Sequence, residues 1–431
     1  MTKKIARKIK TKFIYFAPLD FDNVFKTQVV GWVNLYRENG LDFEIAKLNS
    51  VKRIFDQKKR KSELDSIRKI YSGKIHYIYT FPEKILIGKL INSLIFFFTF
   101  LRAGGLTKKI CFQIRSSSFS GVFKILQVIL GNRFILIYDS RAAAAEEYIY
   151  IKKNPTIKEL IKYKRLIEQD IRMVEISNYI FCVSNVLINY LKKLAIRHSN
   201  VLPRTSINAE KDNQTEGVVE DNRFVLYPCS ADERHFFFDE VLRIHVRKHL
   251  GIENRLVFVY SGGLEMPWHI PNKVFQLFSQ IERVNQEAYF ITLTNDTKIA
   301  YNYFKKHGFS KDKYMVEKVN NTSVHKYLNA ADFGVLLREN HLMNNVASPT
   351  KFAEYIMCGL PVIISEGVGD FSKIVKENGF GFIYNPEYQN LPTNFERYLN
   401  VSLKKKIASF GQSNYSKQAR LQQLINIYKS I

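Results

Sequence analysis

Lys351 and Glu354 stand three residues apart in the stretch 346–363, VASPTKFAEYIMCGLPVI, and their types and spacing suit them to hold a nucleotide diphosphate. Ser348 reads as a helix N-cap and Pro349 as the first helical position, so a helix is expected to open here with Thr350 in its first turn. That turn carries the positive end of the helix dipole and unpaired N–H groups, and a cation in it costs roughly a few tenths of a kcal/mol or more. Lys351 falls in that turn, a placement that makes sense if a phosphate binds at the helix tip and faces both dipole and ammonium. Glu354 shares its face one turn deeper, where a carboxylate can accept both hydroxyls of a ribose. The plainer alternative is a buried helix carrying a Lys–Glu pair.

Two further segments point to the same chemistry. An apolar run, 332–337, ends in Arg338, placing a cation at the carboxyl edge of a strand, where open α/β sheets bind ligands. Arg338 then either joins Lys351 at the diphosphate or belongs to the surface of loop 339–346. The run 256–260 is followed by Ser261-Gly262-Gly263, a turn whose backbone N–H groups can approach a diphosphate closely. Asp20-Phe21-Asp22 has the spacing of a metal-binding pair, but it follows the first strand with no further carboxylate cluster, and it is read as a loop. No metal or cofactor is expected, because the helix tip, Lys351 and Arg338 suffice to neutralise a leaving diphosphate.

The elements that must position these residues form two α/β halves. In the first, strands are expected at 13–16, 43–48, 74–79, 109–114, 133–138 and 179–183, with a helix at 27–38. In the second they are expected at 255–260, 288–293, 333–337 and 361–364, with a helix at 371–377 after the glycine turn 367–369. Short apolar runs alternating with helical stretches predict parallel sheets covered on both faces. Polar residues suggest a linker at 211–222 between domains 1–210 and 223–400, and 401–431 reads as helical.

With 431 residues and 46% hydrophobic composition, the chain is long enough for two cores. Its four cysteines, Cys111, Cys182, Cys229 and Cys358, share no metal-like spacing and read as reduced thiols in a cytosolic setting. No signal peptide is visible. The net charge of +25 is uneven, since residues 1–210 hold 38 Lys and Arg against 17 Asp and Glu. The first half is therefore expected to face a polyanion. No aromatic-basic RNA motif, zinc knuckle or base-reading helix supports nucleic acid, so an anionic membrane is the expected partner. The segment 85–101 is strongly apolar but interrupted by Lys89, Asn92 and Ser93. It suits a helix lying in a membrane surface, or else a core helix, better than a spanning one. The basic runs 3–12 and 58–61 would add about 1 kcal/mol per residue near an anionic leaflet.

The stretch around Lys351 and Glu354 resembles the donor-site signature of GT-B glycosyltransferases of the GT4-like group, retaining enzymes of bacterial surface polysaccharide synthesis. The strand meeting Ser261-Gly262-Gly263 with Trp268 shortly after, Arg338, and Ser184 at a strand end are similar to the family as well. Asp139-Ser140-Arg141 followed by Glu146-Glu147 resembles a cleft-lining stretch of several relatives, and Arg115 occupies a similar strand end. The resemblance implies an α/β GT-B architecture of two Rossmann-like domains with the last helix crossing back to the first. It implies a sugar nucleotide donor, UDP-sugar by expectation, bound by the second domain through Ser261, Gly262, Gly263, Asn345, Ser348, Pro349, Thr350, Lys351 and Glu354. Lys351, Glu354 and Arg338 would carry the chemistry. Arg115, Asp139, Arg141 and Glu147 are candidates for contacts to a lipid-linked glycan acceptor at the cytoplasmic face of the membrane. One departure matters: Val346 stands where the usual pattern has the first of two glutamates, and its task passes to Asn344 or Asn345, or is lost. The alternatives are a GT-B sugar-nucleotide epimerase or an inactive member of the family.

Overall fold

The computed structural model describes residues 11–431 except 23, 84, 202–220, 389, 390 and 393. Most of the expected linker 211–222, and the basic run up to residue 10, lie outside the described residues. The chain divides into two compact units, each built on one parallel sheet.

The first unit carries β1 (Lys12–Ala17), β2 (Phe43–Ser50), β3 (Ile75–Thr80), β4 (Ile110–Ile114), β5 (Phe134–Ser140), β6 (Tyr179–Cys182) and β7 (Phe224–Leu226), in spatial order 3-2-1-4-5-6-7. Every pairing is parallel. The central strands are continuous apolar runs because helices cover both faces, leaving no solvated side to call for alternation. Aromatic side chains fill much of the core, with Phe16 and Phe112 rings 4.5 Å apart and Phe13 stacked on Phe43 at 4.8 Å.

The second unit holds β8 (Leu256–Ser261), β9 (Ala288–Leu293), β10 (Tyr314–Glu317), β11 (Phe333–Leu336), β12 (Val362–Ile364) and β13 (Gly381–Ile383), ordered 10-9-8-11-12-13. This is the doubly wound order of a dinucleotide-binding sheet, with its topological switch between β8 and β11. The unit comprises Val183–Leu187 and Tyr227–Gln422, and Phe224–Leu226 pairs with β6 of the first unit. Three strands were not expected. β7 abuts the polar linker, β10 is a short edge strand, and β13 opens on Gly381 at φ +134°, where a Cβ would stand 2.1 Å from the Val362 carbonyl oxygen.

Two helices follow in the expected C-terminal helical region, Val401–Tyr415 and Lys417–Ser430. They break at Ser416, which is extended because Ala231 bridges there: Ala231 N donates to Tyr415 O (3.0 Å) and Lys417 N to Ala231 O (3.2 Å). Residues Gln423–Ile431 belong to the first unit. Tyr428 is buried there against Tyr36 (4.9 Å), Phe43 (5.1 Å) and Phe13 (5.2 Å), and its hydroxyl donates to Gln113 Oε1 at 2.6 Å.

The apolar segment forms the helix Leu86–Arg102, and its pattern is turned inside out. Gly88, Asn92, Ser93, Phe96, Thr99 and Phe100 face the interior. Asn92 is tied there by two bonds to the Phe81 backbone, N to Oδ1 at 2.8 Å and Nδ2 to O at 2.9 Å. Leu86, Leu90, Leu94 and Phe98 form an outward stripe, each 49–68% exposed. Among the described residues no helix is long and apolar enough to cross a membrane.

Candidate functional site

In the second unit the candidate residues collect at the carboxyl edge of the sheet. β8 runs into Ser261-Gly262-Gly263, β11 is followed by Arg338, and the helix Thr350–Met357 lies across both through Tyr355. The Tyr355 hydroxyl accepts the Ser261 N–H at 2.9 Å. Its ring packs over Gly334 of β11, where a Cβ would lie 2.5 Å from the ring, so glycine at 334 is what lets the helix sit this close.

The turn spends most of its donors on neighbouring elements. Gly262 N donates to Leu293 O (3.0 Å) and Leu264 N to Asp296 Oδ2 (2.7 Å). That leaves the Gly263 N–H free for a ligand, fewer donors than the turn was expected to offer. The Gly263 carbonyl is held by the Tyr260 hydroxyl (2.7 Å) and by His269 Nδ1 (2.7 Å). Burial, and then the charge of Arg338, push His269 down to about 4, so the ring is neutral near pH 7. The next residue, Ile270, has φ +40°, a left-handed conformation costly for a β-branched side chain.

Arg338 is the distinctive group. Its side chain is half-buried and pairs with no carboxylate among the described residues. Burial pushes its pKa below the ordinary value, while the Tyr260 and Tyr355 hydroxyls partly offset this. Its backbone is pinned by Ser365, whose Oγ accepts from Arg338 N (2.8 Å) and donates to Arg338 O (2.7 Å). A partly buried cation without a counter-ion is costly, and a bound anion removes the cost.

The helix start differs from expectation. The helix begins at Thr350 with Pro349 as N-cap and no side-chain cap, so Ser348 does not cap it. Ser348 Oγ instead accepts the Cys229 N–H at 3.0 Å. Lys351 Nζ pairs with Glu354 Oε2 at 2.8 Å, and Glu354 is 4% exposed. Val346 is fully buried and cannot meet a sugar hydroxyl. Asn344 donates to Glu339 O (2.8 Å), and Asn345, with its amide nitrogen turned inward, donates to Gly367 O (2.6 Å) and His341 O (2.9 Å). The Asn344 amide is thus taken up within the loop, while the Asn345 amide holds the loop against the glycine turn 367–369.

The first unit's candidates do not form one set. Asp139 is fully buried at the end of β5 and accepts from Tyr15 Oη, Arg141 Nη2 (3.2 Å) and Gln113 Nε2 (3.4 Å), a structural hub closed to an acceptor. Arg141 is committed to it, with Nε 2.5 Å from Oδ1. Arg115 keeps a buried Nη1 without a partner, and Glu147 stands exposed on the helix Ala144–Tyr150. Asp20 pairs with Arg53 (2.6 Å), while Asp22 Oδ1 accepts the Phe25 N–H (2.8 Å). Ser184 falls in the second unit, where its Oγ donates to Val346 O at 2.8 Å. A cavity of about 940 Å³ lies at the opposite edge of the second sheet, lined by Arg243, Arg247 and Asp332. Those two arginines are already engaged by Asp332 (2.5 and 3.2 Å) and by main-chain carbonyls.

Two parallel doubly wound units with a last helix shared between them find counterparts among solved structures. HepE of Anabaena, solved with UDP, is 12% identical over 98% of this chain and 100% of its own, with a TM-score of 0.64. The chain has the GT-B fold. A glycosyltransferase from Rickettsia africae matches at 12% identity over 98% of both chains, with a TM-score of 0.63. WaaG, a glycosyltransferase involved in lipopolysaccharide biosynthesis, matches at 10% identity over 97% of this chain and 99% of its own, with a TM-score of 0.58. No protein-family model and no curated protein matches the sequence. Tyr260, His269, Asp296 and Tyr355 were not singled out from the sequence. Their roles depend on the turn they brace, and the only sequence signal was the His269 imidazole six residues after a glycine turn.

Proposed function

We propose that this protein is a glycosyltransferase of the EC 2.4 class that moves a sugar from a nucleotide diphosphate, UDP by preference, to a lipid-linked glycan at the inner face of an anionic membrane, in bacterial polysaccharide synthesis such as capsule or lipopolysaccharide. The observation that carries it is the half-buried Arg338, without an acidic partner among the described residues, at the carboxyl edge of β11 beside the switch point of a doubly wound sheet. Solved proteins of this fold bind UDP and UDP-glucose, which supports the donor class.

In this reading Arg338 and the Gly263 N–H meet the diphosphate, with Lys351 at the helix tip. Glu354 receives the ribose hydroxyls and releases Lys351 to the phosphates. Catalysis rests on stabilising the leaving diphosphate, and a donor phosphate oxygen takes the acceptor proton so that configuration is retained. Neutral His269 adds no positive charge and braces the turn. Calorimetry with UDP, GDP and their sugars tests this. Arg338→Met should lose at least tenfold in affinity for one nucleotide while keeping its melting temperature, and Glu354→Ala should lose ribose-dependent affinity. Unchanged binding in Arg338→Met would refute the site. Buried Val346 favours a second reading, a sugar-nucleotide-binding protein without transfer activity. Tight binding with no turnover on any lipid-linked acceptor would select it.

A further inference from the structure

The first unit gathers positive charge that its own carboxylates leave unneutralised. Glu83 follows β3, and its Oε1 is buried with no hydrogen-bond partner. The charges acting on it are those of Lys89, Arg172 and Arg165. None of the three forms an ion pair among the described residues, and Arg165 Nε is itself buried without a partner. Lys89 reaches across the start of the helix Ser120–Leu130, where a Cβ on Gly121 would stand 3.4 Å from its Nζ. A helix N-terminus adds positive potential at that place, so this lysine is parked against both dipole and like charges. Burial pushes Glu83 up to about 7, so this acid is only partly ionised near neutrality. Three cations act on one partly ionised acid, so positive charge is in excess around it.

The same helices also present uncovered hydrocarbon. Lys89 lies on the helix whose outward stripe is Leu86, Leu90, Leu94 and Phe98. Arg165 and Arg172 lie on the helix Ile157–Ile176, whose exposed Ile157 and Ile161 are apolar too. The helix Ser120–Leu130 packs against both of them. A cavity of about 360 Å³ at the carboxyl edges of β1 to β3 reaches Pro82, the residue before Glu83, and is lined also by Asp20, Asn49, Arg53, Thr80 and Phe119, polar enough and large enough for sugar. Adjacent sugar-sized space, excess positive charge and an apolar stripe match an amphiphile whose phosphate joins glycan to lipid.

We propose that Lys89, Arg165 and Arg172 bind the phosphate or diphosphate of a lipid-linked acceptor, with Glu83 taking a hydroxyl at its rim and the Leu86–Phe98 stripe receiving the hydrocarbon. This rests on the lipid-linked acceptor class proposed above and names its binding site. The test measures binding of a short-chain isoprenyl diphosphate below its micelle concentration, the matching alcohol, and inorganic pyrophosphate. The proteins are wild type, Arg165→Gln/Arg172→Gln, and Leu90→Gln/Leu94→Gln, with UDP binding measured in each. The lipid diphosphate is expected to bind at least tenfold tighter than pyrophosphate or the alcohol. The arginine variant should lose tenfold or more for both phosphates, the leucine variant should lose only the lipid advantage, and both should keep wild-type UDP affinity. Loss of UDP binding in wild type would sink the donor reading without touching this one. Wild-type affinity in the arginine variant, or equal binding of lipid diphosphate and pyrophosphate, would overturn the proposal. So would an equal loss of binding to phosphatidylglycerol vesicles, which would make the cluster a general headgroup contact. If the double glutamine variant fails to fold, Arg165→Lys/Arg172→Lys replaces it, with affinity expected between wild type and none.

Discussion

Half-buried Arg338 and fully buried Lys404 are cations at opposite edges of one sheet, and they reach opposite solutions. Lys404 is fully buried beside Asp332, with Nζ 3.4 Å from the carbonyls of Ala331 and Asp332, and burial pushes its pKa down to about 7. Arg243 and Arg247 already satisfy Asp332, so Lys404 is a surplus charge. A lysine whose folded pKa lies below its unfolded value contributes stability above about pH 10.5, and loses it as pH falls to about 7, since the unfolded chain binds the proton more tightly in between. Lys404→Met should therefore stabilise the protein at pH 6–7 by an amount on the order of 1–4 kcal/mol, seen as a higher melting temperature, and the gain should shrink towards pH 10 in parallel melts. Asp332→Ala should do the reverse, destabilising by about 3–5 kcal/mol in denaturant titrations, because three cations lose their counter-charge. Arg338 was legible in the sequence because it ends an apolar run. Its lack of an acid was not, since that depends on which side chains the fold brings near it.

At the scale of elements, the helix Leu86–Arg102 shows where composition informs and where it misleads. Its length and helicity were readable, yet the sequence left open whether membrane or core receives it. The answer lies in which face holds Asn92, and Asn92 faces inward because the Phe81 backbone needs both of its hydrogen bonds. Asn92→Leu should cost about 1–3 kcal/mol despite raising hydrophobicity, measured by urea titration. Leu90→Gln/Leu94→Gln on the outer stripe should change stability by less than about 1 kcal/mol, and should weaken binding to anionic vesicles in a flotation assay. The second unit's strands were legible as buried runs, except the short ones: β10 at an edge, and β13, which depends on a glycine. Gly334→Ala should displace the Tyr355 ring, loosen the helix Thr350–Met357 and weaken nucleotide binding along with stability, seen as parallel shifts in calorimetry and melting. The helix start lies one residue later than expected, and Ser348 finds a tertiary partner in Cys229 instead of capping it.

At the scale of the whole molecule, Tyr428 closes the first unit's core from a position 315 residues beyond its partner Gln113. Tyr428→Ala should cost roughly 3–5 kcal/mol, read as a lowered first transition in a melt while the second unit's nucleotide binding survives. Nothing local in the sequence marks this residue, since its helix is only weakly amphipathic and its neighbours Lys429 and Ser430 are polar. The arrangement also sets an order of events during synthesis. Domains commonly fold from the amino end as the chain emerges, but here the earliest-made core keeps a vacancy among Phe13, Tyr36 and Phe43 until the entire second unit has been translated. Through that interval the nascent first unit lacks the ring that covers Phe13, Tyr36 and Phe43, so its core is completed only after residues 227–422 have been read.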